Sequence, residues 1–300
     1  MFKLVIFGTI VAFAAASRHP VNSAVVAQIR ERTARWEAHD VETNPLRNYS
    51  IEKLRGLLGT NVDAPVDNSG ADQAVLVDGL PENWDWRDQN PKCVHPIRDQ
   101  EKCGSCWAFA ATEAFSDRLC IASKGAVDLV LSPQDMISCD AWDLGCSGGI
   151  LPIAWRYIQN TGVPTDKCLP YVSGDGTVPP CTNECNDNTP KFRYKCKGKY
   201  VTASKPAAIQ SEIYTNGPVE TGFTVYEDFF NYKKGIYTHV SGEKAGGHAV
   251  KIIGWGQDAG VNYWIVANSW GVSWGMAGFF NIEWGQCGID DTVYGCTPNV

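Results

Sequence analysis

Histidine is scarce in this chain of 300 residues: five occur, at positions 19, 39, 95, 239 and 248, scattered along its length. Separated imidazoles, with cysteines at disulfide-like places, exclude a His/Cys metal cluster, and no metal or other cofactor is expected. The glycine pairs are followed neither by Lys-Ser/Thr nor by a helix pattern, which excludes a phosphate-cradling loop. Basic residues are in deficit, 26 Lys+Arg against 33 Asp+Glu for a net charge of −7, so no nucleic-acid partner is expected. The one basic run, KFRYKCKGK at 191–199, reads as a solvated face. Beyond the first residues no apolar run approaches 18, so no membrane span is expected; internal repeats and low-complexity tracts are missing too.

What the chain does have begins at its N-terminus. MFKLVIFGTIVAFAAAS places a lysine ahead of an apolar run and small residues before Arg18, the layout of a secretory signal peptide at 1–17. Entry into the secretory pathway makes the 12 cysteines readable first as disulfides. If one of them is a catalytic thiol, the odd remainder leaves a second without an intrachain partner. Residues 18–79 hold no cysteine and one tryptophan, and end in the linker-like TNVDAPVDNSGADQ. Within them Val25, Ile29 and Trp36 fall at helical spacing behind Asn22/Ser23, and Ile51, Leu54 and Leu58 do so behind Ser50. Two short amphipathic helices without a core need another surface to cover, which is what a pro-segment does.

From Leu80 onward the texture changes, with all the cysteines and 10 of the 11 tryptophans. CWAFAATEAFSDRLCIA has Ala108, Ala111, Phe115, Leu119 and Ala122 on one helical face, with Glu113, Asp117 and Arg118 elsewhere. HAVKIIGWG, NYWIVANSW and GFFNIEW are short β-branched and aromatic runs between turns, as in antiparallel sheet. Helices first and strands later predict an α+β molecule in two parts with a cleft between them.

The motif at the head of the predicted helix, KCGSCW, leaves three readings of Cys106: half of a redox pair with Cys103, half of a structural disulfide, or a nucleophile. A nucleophile needs a helix N-terminus and an imidazole to hold it as thiolate. His248, after two glycines in AGGHAV, is the best-placed histidine; Asn268 in ANSWG can orient it, and Trp270 can shield that bond from water. Gln100, six positions before Cys106, can offer its amide to an oxyanion beside the Cys106 N–H.

CGSCW with a downstream His and Asn is the local signature of papain and the cathepsins, and CSGG, GGHAV and ANSWG concur. His248 stands 142 positions beyond Cys106 and Asn268 stands 162 beyond it, the second a little outside the usual spacing. The chain most resembles the cathepsin B branch. LPENWDWRD is similar to the start of a mature enzyme of that branch, NGPVETGFTVYEDFFNYKKGIYTHVSGE matches its pattern, and RWEAH and LRGLLGT resemble its short pro-segment. The resemblance implies a papain-like two-lobed fold, helical left lobe and antiparallel barrel-like right lobe, as a peptidase domain at 80–300 behind a pro-segment at 18–79. It implies Cys106, His248, Asn268 and Gln100 as catalytic residues, with Gly148 and Gly149 pairing with substrate backbone. It also implies peptide or protein substrates, the pro-segment as a cleft-blocking inhibitor, a monomer, and a lysosome-like or extracellular destination.

The same resemblance pairs Cys103 with Cys146, Cys93 with Cys120 and Cys168 with Cys196, leaving an odd set of Cys139, Cys181, Cys185, Cys287 and Cys296. Two departures from cathepsin B stand out. That enzyme has an added loop whose paired histidines bind a substrate's C-terminal carboxylate, whereas this chain is short and without histidine between Cys168 and Cys196. Thr292 aligns with an acidic residue at the floor of the S2 pocket, whose other expected walls are Ile150, Leu151, Gly222 and Ala249. An open primed side, endopeptidase action and apolar P2 side chains are therefore expected. Asn48-Tyr49-Ser50 is a glycosylation acceptor by rule, in the part expected to be removed.

Overall fold

The computed structural model describes residues 19–64, 68 and 70–300, so the leader expected at 1–17 lies outside the described residues. Ahead of Leu80 the chain forms an extended arm. Asn22 caps α1 (Ser23–Arg32) by accepting from the N–H groups of Ala24 and Val25, and the helix buries Val26 and Ile29. The chain becomes extended at Thr33, so Trp36 falls in a strand, β1 (Trp36–Ala38), instead of continuing the helical register expected for it. Ser50 caps α2 (Ile51–Gly56), accepting from Lys53 N–H at 3.1 Å. Leu54 and the following Leu57 are buried there, while Leu58 lies beyond the helix.

The elements that follow are β2 (Asp72–Gln73), β3 (Trp84–Asp85), α3 (Trp86–Gln89), α4 (Cys106–Ala122), α5 (Pro133–Cys139), α6 (Leu151–Asn160), β4 (Val201–Ala203) and α7 (Pro206–Asn216). The chain closes with β5 (Val219–Tyr226), β6 (Tyr232–Tyr237), β7 (Lys244–Asp258), β8 (Val261–Ala267), β9 (Phe279–Glu283) and β10 (Val293–Gly295). The strands hydrogen-bond in the order β1-β6-β9-β8-β7-β5-β10-β4-β2, with β3 on β7. Both ends of this path come from the arm. The β5-β7-β8-β9 centre is antiparallel as expected, and its β7 is buried on both faces over most of its length.

Among the described residues two large apolar cores result, with a small third cluster at Ile253, Ile265 and Ala267. One gathers β5–β9, α7 and the buried residues of the arm; the other gathers α4, α5 and α6. Helix α4 lies between them, with 15 of its 17 residues buried, including the Glu113, Asp117 and Arg118 expected away from its apolar face. The other lobe meets the charges of Asp117 and Arg118, whereas burial raises the Glu113 carboxyl to about 7 and its Oε1 has no partner. Arg118 donates to Glu212 at 2.9 Å and to the carbonyls of Pro218, Gly217 and Cys296, and Lys251 of β7 pairs with Asp117 at 2.5 Å. The Asp117–Lys251 pair ties the helix that Cys106 opens to the strand that carries His248.

Disulfides link Cys93–Cys120 and Cys103–Cys146 as expected. The third expectation is corrected: Cys168 bonds Cys185, whereas Cys196 bonds Cys296, and Cys139 bonds Cys181. Cys106 and Cys287 are the free cysteines. The basic run at 191–199 is also corrected in part, because Lys191 and Arg193 fold onto the buried carboxylate of Asp135 at 2.7 and 2.6 Å.

Candidate active site

Cys106 occupies the first position of α4, where free N–H groups and the helix dipole favour a negative sulfur. It is not bridged to Cys103, which removes the redox-pair and disulfide readings of the CGSC motif. The backbone N–H groups of Ala249, Gly59 and Trp107 reach the thiol, and Thr60 Oγ1 lies 3.3 Å from it. Ala249 follows His248 in β7, so that strand reaches the cysteine.

His248 Nε2 bonds Asn268 Oδ1 at 2.8 Å, as an N–H donor to the amide oxygen, which leaves Nδ1 as the unprotonated nitrogen of a neutral ring. Nδ1 is buried and has no hydrogen-bond partner. The Trp270 indole lies over the imidazole with ring centres 4.8 Å apart. Asn268 and Trp270 both fall beyond the end of β8.

Gln100 reaches the same hydrogen-bond chain. Its Oε1 accepts from Ser269 Oγ at 2.7 Å, the Ser269 N–H donates to Asn268 Oδ1 at 2.8 Å, and Gln100 N–H donates to Ser269 O at 2.9 Å. Ser269 thereby orients both amides. Sequence reasoning passed over it, although its place inside ANSWG was the available signal. Gln100 Nε2 is turned toward the cleft and donates to Leu57 O of the arm at 3.1 Å.

The arm passes through the cleft and forms one parallel bridge there, Thr60 to Gly149. Gly149 N–H donates to Gly59 O at 2.8 Å, Thr60 N–H to Gly247 O at 3.1 Å, and Asn61 N–H to Gly149 O at 3.4 Å. Close approach explains the glycines: a Cβ on Gly149 would lie 2.4 Å from the Trp107 ring, and one on Gly247 only 2.1 Å from Thr60 O. The arm also changes the electrostatics. Burial raises the Cys106 thiol above its ordinary value, with the Thr60 hydroxyl and backbone N–H groups opposing, and burial lowers His248 to about 4 despite its Asn268 bond. Beneath the arm the pair is held as neutral thiol and neutral imidazole.

Ile150, Leu151, Gly222 and Thr292 line one cavity of about 380 Å³ together with Asp291 and Cys287. Ala249 is not among its walls and is instead buried beside the thiol in the helical core. Val62 of the arm enters this cavity, its Cγ1 3.2 Å from where a Gly222 Cβ would stand. Nearby, and unforeseen from sequence, Glu220 of β5 is wholly buried, accepting from Trp155 Nε1 at 2.6 Å, and burial raises its carboxyl far above the usual range. Among the described residues no group of acidic, histidine and cysteine side chains is arranged to hold a metal, and no helix is long and apolar enough to cross a membrane.

Residues 80–297 match the papain family cysteine protease model. This chain belongs to the papain family. It is 38% identical to the cathepsin B-like cysteine proteinase 4 of Caenorhabditis elegans over 92% of both chains. Against the gut-specific cysteine proteinase of that organism it is 44% identical over 74% of this chain and 75% of the relative. Among solved structures it resembles the procathepsin B S9 of Trypanosoma congolense, with a TM-score of 0.85 and 31% identity over 94% of this chain and 100% of the other. The papain-family chain is thus a cysteine peptidase of cathepsin B-like type, and its fold is papain-like α+β.

Proposed function

We propose that the chain is the zymogen of a secreted or lysosome-like cysteine endopeptidase. In the mature enzyme Cys106 attacks the peptide carbonyl, His248 transfers the proton to the leaving amine, and Asn268 orients the imidazole. Gln100 Nε2 and the Cys106 N–H stabilise the oxyanion, and Gly148 and Gly149 align the substrate backbone. Water then hydrolyses the acyl-enzyme with His248 as base. The observation that carries this reading is the His248–Asn268 bond at 2.8 Å, which leaves Nδ1 without a partner in the strand whose next residue lies at the Cys106 thiol.

In this reading residues 18–79 are the pro-segment, and they inhibit in two ways. They fill the backbone-pairing edge, and they exclude the water that a charged thiolate–imidazolium pair requires, so nucleophile and base are both discharged. Departure of the arm restores solvent and allows the proton to pass from sulfur to ring. Apolar P2 preference is supported by Val62 in the cavity walled by Ile150, Leu151 and Gly222, with Thr292 where an acid would select arginine. Peptide and protein substrates are its partners, and the mature enzyme acts as a monomer.

The test is processing of the purified zymogen followed by limiting iodoacetamide and a fluorogenic peptide assay on one sample. One label on Cys106, in step with loss of cleavage, is expected; retained cleavage after complete Cys106 alkylation rejects the assignment. Endopeptidase action is tested separately on blocked peptides, and efficient release of C-terminal dipeptides would reject the open primed side.

A further inference from the structure

The loop between Asp140 and Ile150 carries Gly148 and Gly149, and two of its carboxyls are buried together. Asp140 is 5% exposed and Asp143 is 7% exposed. One oxygen of each is occupied: Asp140 Oδ1 accepts from Trp142 N–H at 3.0 Å and Asp143 Oδ1 from Ile150 N–H at 2.8 Å. The other two oxygens, Asp140 Oδ2 and Asp143 Oδ2, are buried with no donor to either. Two neighbouring buried carboxyls satisfy both free oxygens when one proton sits between them.

We propose that Asp143, clasped by Asp140 through one shared proton, is the positioning residue that orients the Gly149 carbonyl for substrate. The geometry is specific, because Ile150 N–H and Gly149 C=O belong to the same planar peptide unit. Gripping the N–H from behind sets the direction of the carbonyl, which faces the cleft and accepts from Asn61 of the arm. The inference rests on the proposed peptidase reading of this cleft.

Loss of the shared proton leaves like charges side by side in a buried place, and Asp143 must turn toward water and release Ile150. Among the described residues no cation pairs with either carboxyl while the arm is in place: Lys244 across the cleft pairs with Asp63 of the arm, and Lys191 and Arg193 pair with Asp135 of α5. Departure of the arm frees Lys244, whose charge then opposes the shared proton. Arg156 and Tyr157 of α6 border the cavity beside Asp140 without an ion pair to it, Tyr157 donating to Asp135, and Glu220 of β5 adds only a further acid. Burial, with Asp140 adding to it, raises Asp143 to about 7, so the clasp opens as pH rises through neutrality.

The experiment measures KM and kcat of the processed enzyme from pH 5 to 8 on a peptide spanning P3 to P1, for the parent and Asp140→Asn. In the variant an amide N–H takes the place of the shared proton at every pH. The parent's KM is expected to rise about tenfold between pH 6 and 8, the scale of one backbone hydrogen bond, with kcat little changed. Asp140→Asn is expected to hold KM flat. Asp143→Ala should raise KM at all pH values, with Asp143→Asn restoring it because its amide oxygen still accepts from Ile150. Alkylation of Cys106 by iodoacetamide, too small to use the Gly149 edge, should show the same pH profile in all forms. Superimposable KM profiles for the parent and Asp140→Asn overturn the clasp alone, whereas absence of turnover by the parent overturns the peptidase reading and the clasp with it.

Discussion

The carbonyl oxygen of Leu57 lies 3.1 Å from Gln100 Nε2, so the arm presents its own backbone oxygen to the donor assigned to the oxyanion. In the proposed mechanism the same amide N–H group serves inhibition before processing and catalysis after it. Gln100→Ala should lower kcat of the processed enzyme by about 10²- to 10³-fold with a much smaller change in KM. Steady-state kinetics on one peptide substrate decide it; a change confined to KM would assign Gln100 to ground-state binding instead.

Acid should loosen the arm. A base whose value is depressed in the folded form contributes stability that is complete above its ordinary value and is lost as pH falls toward the lowered one. For His248, taken from 6.5 to about 4 by burial, that window is pH 6.5 to 4, and a shift of this size corresponds to about 3 kcal/mol. His39 of the arm, lowered by burial and by Lys233, acts in the same direction. Thermal melting of a Cys106→Ala zymogen should show Tm falling through this range, and His248→Gln should flatten part of the slope. A Tm unchanged from pH 7 to 4 contradicts the linkage.

Substrates with Leu or Val at P2 should exceed those with Arg in kcat/KM by about tenfold, the scale of one well-filled apolar pocket. Thr292→Glu should narrow or reverse the ratio by returning an acid to the cavity. Asp291, already on the cavity wall, is the residue whose charge opposes this expectation, and a parental preference for Arg would show that it dominates.

Removing one member of the Arg118–Glu212 pair, with side chains 0% and 4% exposed, leaves an uncompensated buried charge. Glu212→Leu in the Cys106→Ala background should destabilise by about 3–5 kcal/mol in urea unfolding. Arg118→Met combined with Glu212→Leu should recover much of that loss. Equal loss in the single and double variants would place the effect in packing rather than charge.

Unfolding without reductant should expose two alkylatable thiols, Cys106 and Cys287, and Cys287→Ser should reduce the label to one while leaving the native fold intact. Peptide mapping of the unreduced digest checks the Cys168–Cys185 and Cys196–Cys296 bonds at the same time.

The nucleophile's helix was legible because apolar periodicity, CGSCW and the downstream His and Asn agreed at separate scales of sequence. Residues whose meaning comes from the other lobe were not. Asp117 and Arg118 read only as lying off the apolar face, with no partners in view, until β7 and α7 supplied Lys251 and Glu212, and Lys191 and Arg193 read as solvated until Asp135 appeared beneath them. Trp36 kept helical spacing from Ile29, yet the chain straightened at Thr33 so that its indole could pack on Tyr237, ring centres 5.3 Å apart. The Cys196–Cys296 bond spans 100 positions, a separation over which local pattern carries no pairing information.

The sheet begins at β1 and ends at β2, and both strands lie ahead of Leu80. In the proposed maturation, loss of the arm leaves two raw margins at once, each with unpaired backbone groups able to recruit a foreign strand. The margin at β6 carries exposed Lys233 and Lys234, and the one at β4 is only three residues long. In that proposed form, brevity on one side and positive charge on the other oppose strand-to-strand self-association once the arm is gone.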